Sequence, residues 1–122
     1  MLHKNDLTRL QHIVEAAREA QGFVAGQTFE SFQINRMMQY SVIHCIEIIG
    51  EASTKISTDF CEAHPEIPWS EIIGMRNRLI HAYFDINVVL VWKTVSEDVQ
   101  KLLDIFEPIL KSEGGYQYRL LD

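Results

Sequence analysis

Ile72–Asp85, IIGMRNRLIHAYFD, is the stretch on which the reading of this chain turns. Ile72, Leu79 and Ile80 recur at helical spacing, and Arg76 and Tyr83 fall on the same face. Arg76, Arg78, His81 and Tyr83 lie within eight residues, and no acidic residue intervenes between Glu71 and Asp85. In a chain of net charge -6, a window that is purely basic and aromatic calls for a reason. An arginine fork donates several hydrogen bonds to a phosphate and keeps its charge. A histidine gives or takes a proton near neutral pH. The combination suits phosphoryl-ester chemistry without a metal; the plainer alternative is an ordinary helix face.

Working outward, the spacing predicts a helix from about Trp69 to Tyr83. Upstream, Pro65 and Pro68 break any regular pattern, with a turn or short helical piece around Cys61. Downstream, Asp85 or Asn87 can cap a long helix to about Lys111. Val88, Trp92, Val95, Val99, Leu102, Phe106 and Ile109 form its seam. Pro108 predicts a kink near its end, and Gly114–Gly115 its stop. Before the central stretch, Ile34–Ser57 reads as a helix with Ile34, Met38, Val42, Cys45, Ile49, Ala52 and Ile56 on its stripe. Gly50 in its middle predicts a close helix approach. Residues 3 to 21 read as the first helix, with Leu7, Leu10, Val14 and Ala17 inward and Val24 continuing the stripe. Gly22 is its expected stop; a connector with Gly26 and cap candidates Thr28 and Ser31 follows.

The expected fold class is all-α: an up-and-down antiparallel four-helix bundle with a short extra helical turn. Residues 1–112 form the domain and 113–122 a C-terminal tail. Ile43, Ile46, Ile48, Val89, Val91, Leu103 and Leu110 lie off the main stripes, which predicts a second buried surface and a homodimer. With 47% hydrophobic and 23% charged residues the composition is that of a globular protein, and no apolar run reaches membrane-spanning length. A polar N-terminus and two cysteines without metal-like spacing make a cytoplasmic protein the expectation. An excess of 17 Asp and Glu over 11 Lys and Arg confines any nucleic-acid contact to residues 76 to 81.

Arg76 shares a face with residues expected to point inward, so it needs a carboxylate partner or a cleft that takes an anion. Glu47 and Glu51, inside IEIIGEA, are the candidate partners, and a structural ion pair is the bland reading. His81 lies about 140° further round an ideal helix, so the two meet only if the helix distorts or a dimer pairs two copies. Asn77 and Arg78 are the nearer neighbours of His81. Tyr83 is a core aromatic with a wet tip, or a substrate-binding or modified hydroxyl. The other histidines form no ligand cluster with one another, and a metal site is not expected.

The segment RNRLIHAY, Arg76 to Tyr83, matches the RX4HXY motif and resembles the HepT-like toxins of the HEPN superfamily. The likeness extends to PWSEIIGM (Pro68–Met75), FDIN (Phe84–Asn87) and IEIIGEA (Ile46–Ala52), and length and helix order also agree. The resemblance implies a HEPN-like helical homodimer that brings two motifs to a shared cleft and cleaves RNA without a metal or cofactor. It implies a type VII toxin neutralised by an MNT-type minimal nucleotidyltransferase, which transfers AMP to the motif tyrosine. Carried over, Arg76 and His81 are the catalytic pair and Tyr83 the AMPylation site; Asn77, Arg78, Glu47 and Glu51 support substrate binding. Competing readings are a non-catalytic helical dimer that serves as partner or substrate of the nucleotidyltransferase, and a plain dimer with a buried arginine pair.

Overall fold

A computed structural model describes residues 3–81 and 85–113, and only the backbone at 80 and 81. The elements are α1 (Lys4–Val24), α2 (Phe29–Gln33), α3 (Arg36–Thr54), α4 (Thr58–Ala63) and α5 (Trp69–Leu79). Then come a two-residue ladder, β1 (Ile80–His81) with β2 (Asp85–Ile86), and a rod of α6 (Val88–Lys93), a π turn (Thr94–Asp98) and α7 (Val99–Ser112). The architecture is the all-α bundle the sequence predicts: α1 packs against α3 and α7, and α3 against α5. The chain stop at Gly114–Gly115 and the tail beyond Glu113 fall outside the described residues.

Four helix starts, those of α2, α3, α4 and α6, are set by a side chain that accepts an otherwise orphaned backbone N–H. Thr28 and Ser31 form a reciprocal capping box on α2. Asn35 accepts from Met38 N at 3.0 Å, so α3 begins after Ile34, which is 86% exposed rather than on the inner stripe. Ser57 caps α4, and Asn87 caps α6 as predicted. The first helix corrects its expected stop: it runs through Gly22, and the turn comes at Gly26, whose φ of 75° only glycine adopts readily. Asp6, missed in the sequence, is buried and accepts from Ser57 N at 2.8 Å and Ser57 Oγ at 2.6 Å, tying α1 to the start of α4.

The surplus apolar residues have a different explanation from the one the sequence suggests. Ile43, Ile46, Val91, Leu103 and Leu110 are all in the core of a single chain, while Ile48 is half-buried and Val89 is 67% exposed. The reason lies partly in the π turn. Val91, Val95, Val99 and Leu103 recur at steps of four, which drift about 40° per step on a regular α-helix. A wider turn absorbs that drift, and the Val99 N–H reaches back to Thr94 O, five residues earlier. Thr94 Oγ1 in turn donates to Leu90 O at 2.8 Å. Pro108 lies inside α7, which continues to Ser112.

Gly50 sets how closely α5 lies on α3. A Cβ built there would stand 3.3 Å from Ile73 O and 3.8 Å from Ile72 O, so the close approach inferred from sequence is present. Gly50→Leu is expected to lose about 1–3 kcal/mol by overpacking. Urea unfolding of the parent and variant measures it; an unchanged midpoint would show that α5 rides freely over this position.

Candidate active site

Helix α5 enters the bundle through Trp69, whose ring packs 5.9 Å from those of Phe60 and Phe106. Trp69 Nε1 also donates to His64 O at 3.2 Å. The inner face of α5 is Ile72, Met75 and Leu79. Arg76 is therefore rotated to the flank of the helix, not buried beneath it as its shared face with Ile72 and Leu79 predicted. Its side chain is 43% exposed, and Nε donates to Glu47 Oε2 at 3.0 Å. Of the two candidate partners in IEIIGEA, Glu47 and Glu51, it is Glu47 that pairs with Arg76, and the pair is an open one. Arg76 Nη1 makes a long 3.4 Å bond to Asn77 Oδ1. Pinned through Nε, the guanidinium keeps donors on its terminal nitrogens for an anion.

A groove of about 500 Å³ runs between α3 and α5. Its lining includes Arg76, Asn77, Glu47, Glu51, Ile73 and His44. The structure thus gathers four of the predicted residues and adds His44, which sequence reasoning left unassigned. The signal for it was spacing: His44 stands three residues before Glu47, one helical turn away. Its Nδ1 lies 3.9 Å from Glu47 Oε1, beyond hydrogen-bond distance, while Oε2 of the same carboxylate takes the bond from Arg76. Arg78 is not part of the groove lining; its Nη2 folds back to donate to Glu71 O at 3.0 Å.

His81 lies beyond the helix. The sequence predicts α5 to continue to Tyr83, but it ends at Leu79, and Asn87 N donates to Leu79 O at 2.8 Å. His81 pairs with Asp85 in the ladder. The 140° separation computed for one continuous helix therefore does not apply, because the backbone turns extended between the two motif residues. The His81 side chain and all of Tyr83 lie outside the described residues.

Neither cysteine offers a thiolate. Burial pushes the Cys45 thiol up to about 12, reinforced by Glu19, whose Oε1 is 3.7 Å from Sγ. Burial also raises Cys61, with Asp6 and Glu62 adding to it. Among the described residues no three His, Cys, Asp or Glu side chains cluster as a metal site. No described helix is long and apolar enough to cross a membrane.

The family model described as Ribonuclease HepT-like matches residues 13–109. A protein of Thermococcus cleftensis named a probable ribonuclease HepT is 46% identical over 102 residues, 84% of this chain and 93% of its own length. A Methanocaldococcus jannaschii protein described as an RNase candidate is 46% identical over 93 residues, 76% of this chain and 85% of its own. A third, from Caldanaerobacter subterraneus subsp. tengcongensis and described in the same way, is 35% identical over 104 residues, 85% of this chain and 93% of its own. No solved structure matches the chain at a significant level.

Proposed function

The chain belongs to the ribonuclease HepT-like family, its function is of ribonuclease type, and we propose that it is a metal-independent endoribonuclease acting as the toxin of a type VII pair. The observation that carries this reading is the half-exposed Arg76, held at the wall of an open groove on the helix that leads directly to His81. A buried structural pair would hide the guanidinium; this one presents it. RNA supplies its own nucleophile, the ribose 2′-hydroxyl, so an acid, a base and a phosphate-holding cation suffice. His81 serves as base on that hydroxyl or as acid on the leaving oxygen. Arg76 holds the scissile phosphate and offsets the charge that builds on its oxygens, with Asn77 beside it.

A homodimer is part of the same proposal. Its earlier basis, a surplus of apolar residues, is largely used up inside the monomer. What supports it now is the exposed apolar set Phe23, Met37, Tyr40 and Ile73 flanking the groove. Pairing there would cover apolar surface and bring two motifs to one cleft. AMP placed on Tyr83 by a nucleotidyltransferase would add a bulky anion to the motif that carries Arg76 and His81, and so oppose the binding of a second phosphate there. The motif RNRLIHAY is the support for that step.

The test is incubation of the purified chain with bulk tRNA and a defined mRNA in excess chelator. Continued cleavage with 2′,3′-cyclic phosphate and 5′-hydroxyl ends is expected. Loss of cutting on chelation would overturn metal independence. A folded dimer that accepts AMP on Tyr83 yet cuts neither RNA would mark the chain as a substrate of the nucleotidyltransferase and not a nuclease.

A further inference from the structure

We propose that His44 is a second catalytic histidine of the Arg76 groove, transferring a proton directly to or from the RNA. The proposal rests on the ribonuclease reading above and deepens it. In-line attack places the incoming 2′-oxygen and the departing 5′-oxygen on opposite sides of phosphorus. A bond forms from O2′ to phosphorus as the bond from phosphorus to O5′ breaks. One proton leaves O2′ and one arrives at O5′, so the products balance with no water or metal consumed. A single imidazole does not reach both oxygens at once; the RNRLIHAY motif carries one histidine per chain, and in a homodimer the second copy's motif is the rival source of the second imidazole, which the variants below distinguish from His44.

Among the described side chains, His44 is the imidazole that lines the same groove as Arg76. His3 and His64 line a separate cavity, and His12 a third. His44 comes from α3, across the groove from α5, and is 71% exposed. Glu47 lies on the Nδ1 side of the ring, which leaves Nε2 as the atom to meet a substrate oxygen. The same carboxylate accepts from Arg76 Nε at 3.0 Å and stands 3.9 Å from the His44 ring, so the imidazole and the guanidinium share one acidic neighbour across the groove. The charged and titratable groups around it are Glu47, Glu51 and Arg76 along the groove, and Glu19 and Tyr40 along the adjoining hollow.

The test compares the full chain with His44→Ala and His44→Arg on bulk tRNA in chelator, across pH. Both variants should fold, since the side chain is exposed, and circular dichroism checks this. His44→Ala is expected to lower kcat about 10²-fold with little change in KM, and to remove one limb of the kcat–pH profile. His44→Arg keeps a charge but has no proton to exchange near neutrality, so it should not rescue. Activity equal to the parent would overturn the proposal. So would full rescue by His44→Arg, which would reduce His44 to a phosphate-holding charge. If the parent itself does not cut, the ribonuclease reading fails and this one with it; a cutting parent matched by both variants sinks His44 alone.

Discussion

Replacing Arg76 by alanine should lower RNA cleavage about 10²–10³-fold, the loss typical when a preorganised donor to a transition-state oxyanion is removed. The fold should scarcely notice. Had Arg76 been buried, as its sequence position implied, breaking its pair would cost roughly 3–5 kcal/mol. The side chains of Arg76 and Glu47 are each 43% exposed, and surface pairs of that kind contribute about 0–1 kcal/mol. Single-turnover cleavage and urea unfolding on the same preparations separate the two effects. A variant that loses several kcal/mol while its folded fraction cleaves normally would return Arg76 to a structural role. Arg76→Lys should recover only part of the activity, because an ammonium lacks the planar fork.

His81→Ala should be at least as severe, about 10²–10⁴-fold, the usual contribution of a positioned acid or base. The ladder that holds residue 81 opposite Asp85 is a backbone pairing and does not depend on the imidazole. The variant should therefore keep the hairpin and the bundle while losing cutting. In cells, the parent chain expressed alone should slow growth and His81→Ala should not. Equal growth of the two would remove His81 from the chemistry and favour the reading in which the chain is only acted upon.

The sequence was most informative where one local rule determined the outcome. The cap candidates Asp85 or Asn87 and Thr28 or Ser31 included the true caps Asn87 and Thr28, Gly50 was legible as a contact point, and the pair Glu47 and Glu51 contained the carboxylate for Arg76. It was least informative where tertiary packing chose between phases. The face of α5 is centred on Met75, between Ile72 and Leu79, and that rotation of the core stripe moves Arg76 from interior to rim. A period count that starts from Ile72, Arg76 and Leu79 cannot tell those phases apart. The early end of α5 was hidden for a similar reason. Nothing between Leu79 and Tyr83 is a helix breaker; the ladder to Asp85–Ile86 and the bond from Asn87 N to Leu79 O win over local propensity. His44 escaped attention because it lies 32 residues before Arg76 and only the packing of α3 on α5 makes them neighbours.

The wide turn at Thr94–Asp98 has a consequence for how this lineage can vary in length. A residue gained or lost within a regular helix swings everything beyond it by about 100° and would misdirect a whole contact surface. Within 94–98, dropping one residue merely exchanges a five-residue hydrogen-bonded loop for the usual four. That segment is the natural place for relatives to differ by a single insertion or deletion, while Val91 before it and Phe106 after it stay in register with their neighbours.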